Sequence, residues 1–136
     1  MKVYLDNAAT TAIHPDVVET MIPVLRNQFG NPSSIHAFGR EVRSAVEGAR
    51  KKVATLLKAS PSEIFFTSGG TEADNMAIRC GIHDLGLKHA ITSALEHHAV
   101  LHTLEELAHK GEVKLSIVNV DEQGHIDLAH LEELLK

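Results

Sequence analysis

Apolar residues in the first half of the chain recur at the three- and four-residue spacing of amphipathic helices. A first helix is predicted from Pro15, which the first helical turn tolerates, although Pro23 argues against one regular helix. A second helix is predicted after the breaker-rich segment 30–34, where Ser33 or Ser34 can cap it. Its apolar stripe comprises Val42, Ala45, Val46, Ala49, Val53, Leu56 and Leu57.

From residue 64 onward, β-prone runs alternate with helical patterns. The predicted strands are 64–67, 89–93 and 113–120, and a helix with an apolar face is predicted after each of them. Asp127 can cap the last helix. This alternation favours a parallel α/β sheet with right-handed crossovers. Because no closing strand follows the last helix, we expect the sheet to be incomplete and the chain to be truncated. Near the amino terminus, residues 3–5 form a candidate edge strand.

The composition is that of an ordinary globular domain, with 136 residues of which 43% are apolar and 23% are charged. The net charge of −5 and the dispersed basic residues argue against nucleic acid as a partner. No apolar run approaches the roughly 20 residues that cross a bilayer, so no membrane partner is expected. Cys80, the single cysteine, cannot form an internal disulfide, and the amino terminus lacks an apolar signal segment. We therefore expect a cytoplasmic protein.

Two polar segments follow predicted strands. Ser68-Gly69-Gly70-Thr71 opens a helix, where glycines let the backbone approach an anion and free N–H groups attract phosphate. Glu96-His97-His98 follows the next strand, where an imidazole can stack on a flat ring or act as an acid or base. Because ligands bind at the carboxyl ends of parallel strands, both segments are expected at one edge of the sheet. A plain strand-to-helix turn and a solvated helix start are the respective alternatives.

A metal site is a further alternative, because His98 and His102 lie at i and i+4 on a predicted helix, with His109 further along. The spacing lacks the glutamate of an HExxH motif, and polar residues opposite an apolar stripe normally face solvent. We therefore predict no metal.

Cys80 is the one thiol that the chain offers for chemistry. It lies at helical spacing from Ala73, Met76 and Ala77, which together form an apolar face. Because free cysteines are often buried, we predict that Cys80 packs in the core.

Four blocks in order carry a family resemblance: YLDNAATT (4–11), GNPSSIH (30–36), FTSGGTEADN (66–75) and EHHAV (96–100). They resemble the amino-terminal part of the cysteine desulfurases, the NifS/IscS-like branch of the class V aminotransferase family of pyridoxal-phosphate enzymes. The resemblance implies an α/β fold, the amino-terminal part of a fold type I transferase large domain with a mainly parallel sheet. It also implies an amino-terminal segment with active-site loops at 1–35 and a partial large domain at 36–136.

The resemblance implies roles for individual residues. Gly70 and Thr71 match positions that hold the phosphate of pyridoxal phosphate. His97 matches the catalytic imidazole that lies over the pyridine ring of the cofactor and assists proton transfer. Segments that border the active site in this family match Asn7, Ala8, Ala9 and His36.

The implied reaction converts L-cysteine to alanine and leaves the sulfur as an enzyme persulfide, which passes to an iron–sulfur scaffold or another acceptor protein. The complete enzyme is expected to be a homodimer. The family's cofactor lysine, sulfur-accepting cysteine and carboxylate-binding arginine match nothing here, so the missing carboxyl-terminal part would have to supply them and the chain alone is predicted to be inactive. The alternatives are a non-catalytic, cofactor-binding half of a split enzyme and another class V member.

Overall fold

The computed structural model describes residues 1–136 and divides into two compact units, Met1–Phe65 and Phe66–Lys136. The predicted division into 1–35 and 36–136 follows function rather than packing, and it stays a prediction. No helix in the structure has both the length and the apolar character that a membrane span needs.

The first unit is built from two helices, α1 (Pro15–Asn27) and α2 (Ala37–Leu57), and a 3-10 turn at Pro61–Glu63. Pro15 lies in the first turn of α1 as predicted, and Pro23 is accommodated within the helix. Residues 3–5 were expected to form an edge strand, but the structure pairs them with no other strand.

The cap of α2 also differs from the prediction. His36 precedes the helix and accepts a hydrogen bond at Nδ1 from the Gly39 N–H, 3.3 Å away. Ser33 and Ser34 lie too early to reach this turn and do not cap the helix. The reason is the tight loop before it, in which the Ser34 N–H donates to the Asn31 carbonyl at 2.9 Å.

The second unit contains α3 (Gly70–Arg79), a π-helical turn (Cys80–Asp84), β1 (His89–Ser93), α4 (His98–His109), β2 (Lys114–Val118) and α5 (Leu128–Leu134). β1 and β2 are parallel, and their register runs from His89 opposite Lys114 to Ser93 opposite Val118. α4 is the crossover between them, which confirms the predicted α/β organisation with a parallel sheet. Asp127 caps α5 as predicted, because Oδ1 accepts from the His130 N–H at 3.1 Å.

The predicted strand at 64–67 is absent. Ile64 has extended dihedral angles, φ −101° and ψ 120°, but neither β1 nor β2 pairs with the segment. Phe65 and Phe66 keep 66% and 52% of their surface exposed. A β-prone composition favours extended backbone, whereas a strand also requires a partner for its ladder of hydrogen bonds.

The core of the second unit lies where α4 covers the sheet, and its buried residues are Ile82, Leu104, Leu107 and Val113. The prediction that Cys80 packs in this core is wrong, because Cys80 is exposed. The face of α3 that it shares with Ala73, Met76 and Ala77 is exposed as well. The face of α3 that contacts α4 instead carries the polar residues Asn75 and Arg79, which form hydrogen bonds to α4.

Candidate functional site

The amino end of α3 carries backbone donors that no side chain satisfies. Gly69 precedes the helix in an extended conformation, with φ 168° and ψ 178°, and provides no capping side chain. The first helical hydrogen bond runs from the Ala73 N–H to the Gly69 carbonyl at 3.1 Å. The N–H groups of Gly70, Thr71 and Glu72 therefore have no acceptor within the helix. Such a helix start favours an anion, because the donors and the helix dipole act together.

Space is available at this position. A Cβ atom added at Gly69 or Gly70 would meet nothing within 4 Å apart from the adjoining residues and the backbone of α3 itself. The donors of the first turn are thus open to a ligand, and the Thr71 hydroxyl adds a side-chain donor at the same turn.

Glu72 holds the loop that leads into α3. Its Oε2 accepts hydrogen bonds from the Ser68 N–H at 2.6 Å and from the Ser68 hydroxyl at 2.7 Å. These two bonds lower the pKa of Glu72 below its ordinary value, because they stabilise the carboxylate. Thr67 adds a third tie, since its hydroxyl donates to the Gly69 carbonyl at 3.1 Å. The shape of the loop is therefore set before any ligand binds.

His97 begins the other helix of the site. It is the cap of α4, and its Nδ1 accepts from the Ala99 N–H at 3.1 Å. Because Nδ1 accepts, a neutral imidazole carries its proton on Nε2. The backbone of α4 thus fixes the orientation of the ring and directs its remaining proton away from the helix.

The two helix starts are neighbours. The Asn75 amide, one turn into α3, donates to the Thr71 carbonyl at 3.0 Å and to the Ala99 carbonyl at 3.5 Å. The structure therefore brings the first turn of α3, with Thr71, beside the first turn of α4, which His97 caps. An open apolar pocket of about 680 Å³ in this unit is lined by Glu96 but by neither Thr71 nor His97. A pocket shared by Thr71 and His97 stays a prediction.

The other predicted site residues lie in the first unit. Asn7, Ala8 and Ala9 form an exposed turn, in which the Ala9 N–H donates to the Asp6 carbonyl at 3.1 Å. His36 is the cap of α2. The predicted role of these residues beside a substrate stays a prediction.

The histidines that prompted the metal alternative are on the outer face of α4. The rings of His98 and His102 stack with centroids 4.7 Å apart. No group of three or more His, Cys, Asp or Glu side chains is placed to hold a metal ion.

The family follows from comparison with known proteins. The model of the family described as aminotransferase class-V matches residues 3–136. The chain belongs to this family. A relative from Dictyoglomus turgidum named cysteine desulfurase IscS is 49% identical over 140 residues, which cover 99% of this chain and 34% of the relative. One from Bacillus subtilis named putative cysteine desulfurase IscS 1 is 47% identical over 138 residues, covering 99% of this chain and 36% of the relative.

Solved structures agree with this assignment. A NifS-like protein superposes with a TM-score of 0.88 at 43% identity, covering 98% of this chain and 37% of that one. A structure described as SspA in complex with cysteine gives a TM-score of 0.82 at 34% identity, covering 93% of this chain and 37% of that one. This class-V family chain therefore spans about a third of the length of the curated relatives it matches.

Two residues of this class-V chain that shape the site, Glu72 and Asn75, were not singled out from the sequence. A signal for Glu72 was present, because it stands three residues after Gly69, the spacing of a helix-start glutamate that bonds back to the preceding backbone. Asn75 lies four residues after Thr71, on the same helix face. Its partners on α4 are 24 and 28 residues away in sequence, so only the fold reveals them.

Proposed function

We propose that this chain is part of a pyridoxal-phosphate-dependent cysteine desulfurase, which removes sulfur from L-cysteine and leaves alanine. The observation that carries the proposal is the uncapped amino end of α3 beside the start of α4, where His97 holds a fixed ring. The names of the curated relatives and the cysteine-bound neighbour support the substrate.

The residues at the two helix starts fit the cofactor. The N–H groups of Gly70 and Thr71 and the Thr71 hydroxyl are donors of the kind that hold a phosphate. When bound, pyridoxal phosphate supplies an electron sink that weakens bonds in the attached amino acid. His97 presents a flat ring for stacking, and its Nε2 can hold or move a proton while Nδ1 stays bonded to the Ala99 N–H.

The first unit contributes the remaining parts of the proposal. Asn7, Ala8, Ala9 and His36 border the bound substrate in the complete enzyme. That enzyme works as a cytoplasmic homodimer and passes sulfur to an iron–sulfur scaffold or another acceptor protein.

The positions of three of the four lysines of the second unit support the proposal that these 136 residues do not turn over cysteine alone. Lys88 and Lys114 lie where β1 and β2 begin, whereas His97 follows the opposite end of β1. Lys110 closes the far end of α4 and pairs with Glu106. All three therefore lie at the opposite ends of these elements from His97.

Cys80 is a weak candidate for the sulfur-accepting thiol. A hydrogen bond with Asp84, together with partial desolvation and the negative charge of that carboxylate, raises the pKa of the Cys80 thiol. Little thiolate is then available at neutral pH, and the thiolate is the nucleophile. We propose that the nucleophilic cysteine lies outside residues 1–136.

The test compares the chain alone with the chain joined to the remaining residues of the Bacillus subtilis relative. We expect alanine and sulfide from cysteine only in the joined protein. Thr71→Val should weaken pyridoxal phosphate binding roughly ten- to hundred-fold, since a hydrogen bond to a charged group contributes about 1.5–3 kcal/mol. Thr55→Val, at an exposed position on α2, is the matched control.

The outcomes separate the alternatives. Sustained turnover by the isolated chain that Cys80→Ser abolishes would overturn the proposal and make Cys80 the nucleophile. Activity restored by adding the remaining residues as a separate polypeptide would favour a split enzyme. A joined protein that binds the cofactor but acts on another amino acid would favour a different class V activity.

A further inference from the structure

We propose that Asn75 is a positioning residue that locks the first turn of α3 to the first turn of α4 and thereby sets Thr71 and His97 relative to each other. The inference rests on the proposed function of those two residues. The Asn75 amide bonds to neither the Thr71 hydroxyl nor the His97 ring, and it acts on both residues through backbone atoms.

The Asn75 amide uses its full hydrogen-bonding capacity. Its Nδ2 donates to the carbonyls of Thr71 at 3.0 Å and Ala99 at 3.5 Å. Its Oδ1 accepts from the Thr103 hydroxyl at 3.0 Å and from the Arg79 Nε at 3.4 Å. Two carbonyl acceptors on one side and a guanidinium donor on the other fix which end of the amide is nitrogen.

The partners on α4 are buried, and this makes the link costly to break. Ala99 and Thr103 retain only 8% and 6% of their surface. The Thr103 hydroxyl shares its proton between Asn75 and the Ala99 carbonyl, which is 2.7 Å away. Loss of the Asn75 amide would leave polar atoms in this interface without partners, which is more damaging than the loss of an exposed bond.

Ala99 connects the link to His97. The Ala99 carbonyl accepts from Asn75, and the Ala99 N–H donates to the His97 imidazole. Thr71 is bonded directly at its carbonyl. One side chain therefore holds the backbone on both sides of the site, and a shift of either helix would move the phosphate donors away from the imidazole.

A second tie between the same helices provides the matched control. Arg79 Nη2 donates to Glu106 Oε2 at 2.7 Å, near the far ends of α3 and α4, where both side chains are partly exposed. Glu106→Gln weakens helix pairing there. Its partner Arg79 also donates to Asn75, but the bonds from Asn75 to the Thr71 and Ala99 carbonyls stay in place. A merely structural role for Asn75 would make the two positions equivalent.

The test measures hydrogen exchange and NMR signals of the 136-residue chain without cofactor, and then cofactor affinity by titrating the joined protein with pyridoxal phosphate. Asn75→Asp keeps the shape but places an acceptor against two carbonyls. Asn75→Ser can still donate to the Thr71 carbonyl but is too short to reach α4. For both variants we expect faster hydrogen exchange at the Ala99 N–H, displaced NMR signals of the His97 ring, and a roughly ten-fold loss of cofactor affinity. Glu106→Gln should leave all three readouts near those of the parent.

Equal exchange at Ala99 in all variants, or an equal loss of affinity in Glu106→Gln, would overturn the positioning role. If Asn75→Asp does not fold, the same readouts from Asn75→Ser decide. A joined protein that shows no cofactor affinity counts against the proposed function, whereas the cofactor-free exchange at Ala99 tests the link itself.

Discussion

Replacement of His97 separates its two roles, helix cap and ring of the proposed site. His97→Ala removes the acceptor for the Ala99 N–H. Losing a helix cap costs about 0.5–2 kcal/mol. Ala99 is 8% exposed, so water replaces the lost acceptor poorly. We therefore expect a loss near the upper part of this range, roughly 1.5 kcal/mol of unfolding free energy.

Urea unfolding followed by circular dichroism measures this loss. For an m-value of about 1–3 kcal/mol/M, it moves the midpoint down by about 0.5–1.5 M. His97→Asn should restore most of the stability, because asparagine is among the best helix caps. His98→Ala is the neighbouring control. That residue is the exposed first residue of α4, and a surface substitution of this kind changes stability by about 0.5 kcal/mol or less.

His97→Asn then isolates the chemistry. It retains the cap but has no ring to stack and no Nε2 proton, so the joined protein carrying it should be stable and inactive. The reasoning about the cap fails if His97→Ala is no less stable than His98→Ala, or if His97→Asn is as unstable as His97→Ala. Full activity of His97→Asn would remove the imidazole from the proposed site.

Two further predictions concern charges on the second unit. Lys110 and Arg79 lower the pKa of Glu106 from 4.5 to about 2, so the stability that this carboxylate contributes is present above pH 4.5 and is lost as the pH falls toward 2. Glu106→Gln should flatten that part of the pH profile of unfolding, and an unchanged profile would contradict the assignment. Cys80 should react with a thiol reagent in the folded chain, and Asp84→Asn should speed the reaction at neutral pH by removing the group that raises the thiol pKa. Protection of Cys80 until unfolding would instead favour the buried position predicted from the sequence.

The α/β organisation was predictable because its signals are local. β1, α4, β2 and α5 each combine a hydrophobic period with a recognisable cap or breaker, such as Asp127 at the start of α5. The segment 64–67 has equally good β composition and yet is no strand, because pairing is a property of two segments. The local sequence pattern therefore predicts which backbone conformation a segment prefers. Whether a second strand pairs with that segment depends on the fold.

The orientation of α3 was predicted wrongly for a related reason. Ala73, Met76, Ala77 and Cys80 make an apolar stripe, but three of these side chains are small and gain little from burial. The opposite face carries Asn75 and Arg79, whose hydrogen bonds to α4 are made only once the two helices meet. A hydrophobic pattern predicts the buried face of a helix from its apolar residues alone. It contains no information about polar groups that form hydrogen bonds across an interface.

Histidine capping connects the sequence motifs with the structure. His14, His36 and His97 each precede a helix and accept a backbone N–H at Nδ1, at 3.3, 3.3 and 3.1 Å. Two of them, His36 and His97, were selected from the sequence as site residues. For His36 the structure shows the cap and an edge contact with the Phe38 ring. For His97 the cap and the proposed chemistry require the same ring orientation, because only a neutral imidazole that accepts at Nδ1 leaves Nε2 with a proton to use. An alanine substitution at His97 therefore removes the cap and the ring at once. A substitution that retains the cap, such as His97→Asn, is needed to separate the two roles.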